Sequence, residues 1–327
     1  EVASGLPRID YTDGSGSWLL EPTATNFITY SEDFSNASWS KSNCTILANQ
    51  STSPDGTLSA YLMTATNADA RIEEAIGVIA TPTTQSIYVK SATGSNVAGQ
   101  IDFSGTDTVT FTANNEWQRI ESTLTNLALS TRVRARITNS GDAIYIWGAQ
   151  LEENSYATSY IKTVGTAQTR VADTATGSGN STVINSSEGV LYFEGIATNP
   201  SVSANSQISI SSATNSGNNR VMITPSSDTQ LALRFNAGGT QLVTQAVAVS
   251  SLSVNSKIAV RWGNGNYSLY QNGSEVYTQA IASTPIGLAK LNFSSVTETN
   301  NFNGKVKSLQ VYKTALTDAE LTTLTTI

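Results

Sequence analysis

The sequence predicts an all-β protein with two tandem antiparallel β-sandwiches and one short C-terminal helix. Short segments of alternating apolar and polar residues recur along most of the chain. Turn-forming residues separate them about every ten positions, which is the spacing of a sandwich. A stretch rich in Thr, Gly and Ser at 174–180 divides two such runs and has the composition of a linker. We find a helical pattern only at 315–324, where Thr317 and Glu320 have the spacing of a capping box.

These patterns predict four segments, which are a leading segment at 1–25, a first sandwich at 26–163, a linker at 164–187 and a second sandwich at 188–327. In the leading segment, Asp13-Gly14 predicts a tight turn between two short extended pieces, because glycine supplies the positive φ that such a turn needs. Strand patterns are clearest at 71–78, 84–91, 132–138 and 144–147. Because the chain starts with Glu1 rather than Met, we expect a fragment or a processed product.

Composition excludes several classes of function. The chain has 327 residues, 13% of them charged, and a net charge of −7. Nucleic acid is therefore not an expected partner, since phosphate binding needs a basic surface. There is no apolar run of about 18 residues, so we expect no insertion into a membrane. The chain has no histidine, which removes His-based catalysis and His-ligated metals. Cys44 is the only cysteine and is interpreted as a small buried apolar residue.

Three predicted strands of the first sandwich carry aromatic or cationic side chains on the face opposite their apolar residues. The candidate carbohydrate-binding residues on them are Tyr88, Lys90, Arg134, Arg136, Tyr145 and Trp147. If these strands are neighbours in one sheet, the six residues share a surface. Aromatic planes there would stack on sugar rings, and the cationic groups would hydrogen-bond hydroxyls or anionic sugars. Two alternatives stay open: the aromatic residues belong to the core above a solvated arginine face, or the surface packs against a second copy of the chain.

The carboxylate clusters do not predict a glycosidase site. These clusters are Glu73-Glu74, Asp102 with Asp107, and Glu152-Glu153. Glycoside hydrolysis needs two carboxylates facing each other across a sugar, whereas adjacent residues on a strand point to opposite faces. We therefore predict no catalytic residues and no enzyme activity.

Loop carboxylates and amides leave a structural calcium ion open, although loop Asp and Asn residues more often form turns. The oxygen donors concerned are Glu32, Asp33 and Asn36 in the first half and Asp228, Asn264 and Asn266 in the second. We otherwise expect no cofactor.

The first half of the chain resembles a module of bacteriophage virion proteins. The resemblance rests on Pro7–Tyr11, Leu19–Phe27, Tyr30–Phe34, Trp147–Glu152 and Tyr156–Ile161. Phe27 stands where the module usually has Leu. The resemblance implies a jelly-roll sandwich of the carbohydrate-binding-module type, as found in tail fibres, spikes and other exposed parts of the virion.

The second half, from about residue 187 to the end, resembles the concanavalin A-like, laminin-G-type sandwich. The matching stretches are 257–262, 267–273, 302–312 and 315–321. Lys307 stands where relatives often carry an acidic residue, which weakens the expectation of calcium.

Together, the two resemblances imply a non-enzymatic virion structural protein, exposed on a tail fibre, spike or similar appendage and contacting host-surface glycans. The implied location is the virion, outside the cell. The implied partners are other virion proteins and further copies of the chain, with a trimer favoured. The alternatives are carbohydrate-binding modules of a secreted glycan-degrading enzyme, a capsid decoration or head-fibre protein, and a lyase or hydrolase in its own right.

Overall fold

The computed structural model describes residues 8–12, 14–77, 80, 82–124, 131–198, 206–214 and 217–327. Within these ranges the chain forms antiparallel strands and one helix, which confirms the predicted all-β class. In chain order the elements are β1 (Arg8–Asp10), β2 (Ser17–Leu20), β3 (Ala24–Asn26), β4 (Trp39–Ser42), β5 (Cys44–Thr52), β6 (Leu58–Ala65), β7 (Ala70–Gly77), β8 (Thr83–Ser91), β9 (Val97–Phe103), β10 (Thr106–Ala113), β11 (Gln118–Leu124), β12 (Thr131–Ile137), β13 (Ala143–Glu152), β14 (Gln168–Arg170), β15 (Gly189–Ala197), β16 (Ile208–Ser212), β17 (Arg220–Ser227), β18 (Gln230–Ala237), β19 (Thr240–Ala248), β20 (Ser256–Gly263), β21 (Asn266–Gln271), β22 (Ser274–Ala280), β23 (Leu288–Asn292), β24 (Gly304–Tyr312) and α1 (Asp318–Thr325).

The chain divides into two compact units. Sandwich A is residues 23–171, and sandwich B is residues 1–22 together with 172–327. The predicted leading segment, 1–25, differs from this division. Its strands β1 and β2 form a hairpin that joins a sheet of sandwich B, because β2 pairs with β24 through Trp18 and Val306. Residues 172–187 of the predicted linker also lie within sandwich B.

Ion pairs hold the N-terminal hairpin to the rest of sandwich B. The Arg8 guanidinium donates to Glu21 Oε2 at 2.6 Å and also to the Asp173 carboxylate. The Asp173 amide in turn donates to the Glu21 carbonyl at 2.9 Å. A bidentate, partly buried arginine of this kind fixes geometry better than an exposed pair does. The two chain segments that make up sandwich B are therefore joined at Asp173.

Sandwich A contains two five-stranded sheets and one short ribbon. The strand orders are β10-β9-β12-β7-β4, β11-β8-β13-β6-β5 and β14-β3. Apolar residues at alternate positions of both large sheets form one buried cluster, for example Ile101 and Val133 of the first sheet and Val89 and Ile146 of the second. Alternation therefore sets which side chains of each strand lie on the outer faces.

Sandwich B pairs a seven-stranded sheet, β1-β2-β24-β15-β20-β21-β22, with a five-stranded sheet, β19-β18-β17-β16-β23. Its core includes Leu191 and Val260 of the larger sheet and Val221 and Phe235 of the smaller one. Helix α1 buries Leu321 in a separate apolar cluster with residues of the larger sheet. Among the described residues, no helix is long and apolar enough to cross a membrane.

Buried side chains of the motif at Trp147–Glu152 form hydrogen bonds with the segment that follows it. Glu152 accepts hydrogen bonds from the amide and hydroxyl of Thr158, both at 2.7 Å. Gln150 Oε1 accepts the Ile161 amide at 2.7 Å, and Gln150 Nε2 donates to Glu152 at 2.7 Å. The tail after β13 is thus bound back to the sandwich, which brings Tyr160 next to Trp147.

Helix α1 begins as predicted. Thr317 is its N-cap and accepts from the Glu320 amide, while Glu320 accepts from the Thr317 amide at 2.8 Å. The predicted strand at 71–78 is present as β7, although Val78 lies outside the described residues. Asp13 of the predicted turn also lies outside them, and Gly14 has a φ of 80°, the positive value that the turn requires. Strands β5 and β19 were not predicted, since both have mostly exposed residues.

Candidate functional site

The outer face of the β11-β8-β13-β6-β5 sheet in sandwich A brings together four of the six candidate residues. Across β13 and β8, Tyr145 is paired with Lys90, and Trp147 is paired with Tyr88. Val89, between Tyr88 and Lys90, is buried in the core. Because side chains alternate along a strand, these four residues point away from that core.

Arg119 of β11 extends this set of residues. It is paired with Tyr88, its guanidinium carbon lies 5.5 Å from the centroid of the Tyr88 ring, and its Nη2 donates to Ser86 Oγ at 2.9 Å. A cation over an aromatic ring is attracted by the negative charge density of the ring face. The Tyr88 ring is therefore held in place from one side. We call the set of Tyr88, Lys90, Arg119, Tyr145 and Trp147 the aromatic face.

Trp147 supports this face from below. Only 4% of it is exposed. Its ring centroid lies 5.4 Å from that of Tyr88 and 4.5 Å from that of Tyr160, and its Nε1 donates to Ser59 Oγ at 3.1 Å. Tilted aromatic contacts at these distances are favourable. Trp147 consequently fixes the rings around it, and the partly exposed aromatic side chains are those of Tyr88 and Tyr145.

Gly148 makes this packing possible. Its φ is 63°, and the register of β13 against β8 shifts between Trp147 and Gln150. A Cβ at this position would lie 3.2 Å from Tyr88 and 3.3 Å from Tyr160. A side chain would therefore be strained by the backbone and crowded by both rings.

Trp117 shows that the sheet is strongly curved. Its Nε1 donates to the Thr52 carbonyl at 3.0 Å, although β11 and β5 are the two opposite edges of the sheet. Neighbouring strands lie about 4.8 Å apart, so a flat sheet would separate its edges by roughly 19 Å. Trp117 is two positions from Arg119 and hence on the same side. The edges therefore approach each other over the aromatic face.

Three polar groups of this face are free to bind a ligand. Within the part of the chain that the structure describes, the Lys90 ammonium and the hydroxyls of Tyr88 and Tyr145 have no hydrogen-bond partner. All three side chains are half-buried, so each presents part of its surface to solvent. A curved face with partly exposed aromatic rings and free polar ends can hold a hydroxylated ring by stacking and by hydrogen bonds.

The two candidate arginines are not part of this face, which corrects the prediction that all six residues share one surface. Arg134 and Arg136 lie on β12, in the other sheet of sandwich A. Arg134 Nε donates to the fully buried Asp102 carboxylate at 2.7 Å. Arg136 lies 3.3 Å from Asp69 and 3.5 Å from Asp102. Both guanidinium groups are thus already paired with carboxylates on the outer face of their own sheet.

The three carboxylate clusters have structural partners. Glu73 accepts from Arg132 at 2.8 Å on the outer face, whereas Glu74 is buried and accepts from Thr29 Oγ1 at 2.9 Å. These neighbours point to opposite sides, as their alternation predicted. Asp102 pairs with Arg134, and both oxygens of Glu152 hold the segment after β13.

The two aspartates considered for calcium already accept hydrogen bonds from neighbouring residues. Asp33 Oδ1 accepts from the Tyr61 hydroxyl at 2.8 Å and from the Ser35 amide at 3.1 Å. Asp228 Oδ1 accepts from Ser251 Oγ at 2.8 Å and from the Ser253 amide at 2.9 Å. Over the described ranges, no group of three or more acidic or cysteine side chains could hold a metal ion.

Sequence comparison matches residues 197–322 to the family model Laminin_G_3, which is described as the Concanavalin A-like lectin/glucanases superfamily. No curated protein matches the chain. The resemblance of the second half to a concanavalin A-like sandwich is thereby supported over most of sandwich B.

Solved structures with a similar fold include sugar-binding domains of larger enzymes. The carbohydrate-binding domain CBM40 of the Ruminococcus gnavus IT-sialidase, bound to α2,3 sialyllactose, is 19% identical with a TM-score of 0.36, covering 46% of this chain and 94% of that one. Domain 4 of AbnA, an extracellular arabinanase from Geobacillus stearothermophilus, is 14% identical with a TM-score of 0.36, covering 49% and 73%. A SAP-like pentraxin from Limulus polyphemus is 13% identical with a TM-score of 0.35, covering 45% and 73%. These similarities concern the fold alone.

Proposed function

We propose that this chain is a non-enzymatic glycan-binding protein that forms part of an exposed bacteriophage appendage, such as a tail fibre or spike. The observation that carries the glycan-binding part is the aromatic face, on which Tyr88, Lys90 and Tyr145 are partly exposed with free polar ends. The match of 197–322 to a lectin-containing superfamily supports the same function. The virion part rests on the resemblance of the first half to phage modules. A trimeric state follows from that resemblance too.

The aromatic face fits a hydroxylated ring for physical reasons. A sugar has apolar C–H surfaces that stack on an aromatic side chain and hydroxyls that need hydrogen-bond partners. Tyr145 and Lys90 are directly opposite each other on neighbouring strands, so a ring over Tyr145 would lie within reach of the Lys90 ammonium. Trp147 and Arg119 keep Tyr88 in place and reduce the entropy that binding would otherwise cost.

A glycan array probed with the full chain tests this function. We expect binding to a narrow set of glycans, and Tyr145→Ala should weaken that binding about five- to tenfold, as loss of one aromatic contact would. Tyr11→Ala is the matched control, because Tyr11 is an exposed tyrosine of sandwich B. Absence of any bound glycan would overturn the assignment. Binding by both Tyr145→Ala and Lys90→Ala that equals binding by the unaltered chain would overturn it too.

Light scattering and particle analysis test the virion part. Three chains of 34.5 kDa each should scatter as one particle, and antibodies raised against the chain should label an appendage of the virion by electron microscopy.

The match to a superfamily that also contains glucanases favours one second candidate, a pair of carbohydrate-binding modules from a secreted glycan-degrading enzyme. In that case the chain would scatter as a monomer and would bind a soluble polysaccharide. The native protein in culture medium would also carry a catalytic domain on the same polypeptide. If the chain is a capsid decoration or head-fibre protein, the antibodies would label the head of the virion rather than its tail.

A further inference from the structure

Two arginines lie next to each other on the outer face of the five-stranded sheet of sandwich B. Arg220 of β17 is paired with Asn236 of β18, and Met222 is paired with Arg234. The intervening residue Val221 is buried in the core, so both arginines point to the opposite side. Residues in this diagonal relation have Cβ atoms about 7–8 Å apart, within reach of one small ligand.

Neither arginine has a carboxylate partner among the described residues. In the described part of the chain, no Asp or Glu oxygen lies within 4.0 Å of either guanidinium group. Arg234 Nη1 donates to the Leu233 carbonyl at 3.0 Å, and Arg220 makes no hydrogen bond to a described residue. By contrast, Arg134 and Arg261, which are also half-buried, are paired with Asp102 and Asp318.

The two positive charges also repel each other. Burial lowers the pKa of the Arg220 guanidinium, and the charge of Arg234 lowers it further. Partly buried cations are normally placed beside an anion, since removing them from water is otherwise costly. An arrangement that costs stability in the free protein is typical of a site that receives its counter-charge from a ligand.

Three buried neutral atoms on the same face also have no hydrogen-bond partner among the described residues. Thr224 Oγ1, Asn236 Oδ1 and Asn292 Nδ2 form no hydrogen bond, although their residues are only 4%, 8% and 0% exposed. Asn236 is paired with Arg220, and Thr224 is two positions from Met222 on the same strand. Asn292 is paired with Ser209, which is itself paired with Met222. Buried polar atoms are almost always hydrogen-bonded, so several unpaired atoms on one face point to an absent partner.

The chemistry of these groups selects the ligand. Two guanidinium groups present paired N–H donors that match an oxyanion such as a carboxylate. Asn236 Oδ1 can only accept, so the ligand must also carry a hydrogen-bond donor. Sulfate has no such donor, whereas a sugar acid has one carboxylate and several hydroxyls. The net charge of −7 argues against nucleic acid.

We propose that this face of sandwich B binds an acidic sugar, with Arg220 and Arg234 on its carboxylate and with Asn236 on one of its hydroxyl groups. The site is in a different unit from the aromatic face and does not depend on it.

Calorimetric titration of the full chain tests this site. The probes are glucuronic acid, galacturonic acid and N-acetylneuraminic acid, each beside its methyl ester, which keeps the hydroxyls and removes the charge. At least one acid should bind ten- to a hundredfold more tightly than its ester, the range expected for charged hydrogen bonds. Arg234→Gln and Arg220→Gln should each weaken that binding by a similar factor.

Arg132→Gln is the matched control, because it removes the same charge from an arginine of sandwich A that is paired with Glu73. It should bind the acid like the unaltered chain. Equal binding of each acid and its ester, equal binding of sodium sulfate and the sugar acids, or unchanged binding in both arginine variants would overturn the proposal.

Thermal unfolding separates binding from folding. Arg234→Gln removes one of two positive charges that repel each other. The unfolding midpoint of this variant should therefore stay the same or rise, while its affinity for the sugar acid falls. A midpoint lowered in proportion to the loss of affinity would instead assign Arg234 a structural role and overturn its place in the site. Arg234→Lys keeps the charge but not the planar pair of donors, so it should lose part of the binding. Tyr145→Ala should leave binding at this site unchanged, which distinguishes failure of this proposal from failure of the aromatic face.

Discussion

Asn26 should be the most sensitive single position of sandwich A. Its fully buried side chain makes four hydrogen bonds to backbone groups. Nδ2 donates to the Ala149 carbonyl at 3.1 Å and the Ile161 carbonyl at 2.8 Å. Oδ1 accepts from the amides of Ile28 at 3.1 Å and Leu151 at 3.0 Å. One amide thus connects β3, β13 and the tail after β13, using every donor and two acceptor positions that it has.

Asn26→Ala would leave these four backbone groups buried and unpaired. An unpaired buried group costs about 1–3 kcal/mol, so the lower limit for four is roughly 4 kcal/mol. A domain of this size is typically stable by only about 5–15 kcal/mol, so sandwich A should become marginal. Urea unfolding followed by hydrogen exchange should show this loss, with protection falling first in peptides covering 143–163.

Two variants control for this result. Asn96→Ala changes an exposed asparagine of the same sandwich and should have little effect. Asn26→Asp keeps the acceptor and loses the donors, so its effect should be intermediate. A loss of less than about 1 kcal/mol for Asn26→Ala, with protection of 143–163 unchanged, would refute this reasoning.

Three further changes follow from the structure. Burial raises the pKa of Glu74. The contribution of this carboxyl group to stability is therefore present below its unfolded pKa and is lost as pH rises through its folded pKa. Glu74→Gln should raise the free energy of unfolding by on the order of 1 kcal/mol at pH 7 and by little near pH 4, measured by urea titration at both pH values. Asp102→Asn should destabilise sandwich A by roughly 3–5 kcal/mol in the same assay, because it removes the buried carboxylate that Arg134 and Arg136 share, and a smaller effect than that of Arg132→Gln would contradict the pairing. Thr317→Ala should destabilise α1 by about 1 kcal/mol and speed exchange in 318–325, whereas Thr317→Ser should not.

The strands of this fold could be predicted because alternation is a local property. Ile144 and Ile146 alternate with Tyr145 and Trp147, which places the two aromatic residues together on one face of the strand, and the structure shows that this is the outer face. The pairing of β2 with β24 could not be predicted, because Trp18 and Val306 are at opposite ends of the chain and nothing in either segment specifies the other. The domain boundaries consequently differ from the prediction most at the N terminus.

The candidate site could be predicted only in part, for the same reason. Alternation assigns Arg134 and Arg136 to an outer face, but it does not say which of two sheets β12 joins. It also places Trp117 and Arg119 on one face of a predicted strand, yet their position beside Tyr88 depends on the pairing of β11 with β8. Arg220 and Arg234 carry no local signal, since what distinguishes them is that no carboxylate of the described residues is paired with them.

The order of synthesis gives the insertion of sandwich A a consequence for folding. Strands β1 and β2 leave the ribosome before the strands of sandwich A, but β24, which pairs with β2, emerges only after all of them. Synthesis proceeds at roughly 5–20 residues per second, so tens of seconds pass between the emergence of the N-terminal hairpin and that of β24. During this time all of 23–171 is already available to fold. Sandwich A should therefore fold during translation, and sandwich B only after it. An unpaired β2 is exposed throughout that interval, so chaperone capture in the cell should concentrate on residues 8–20.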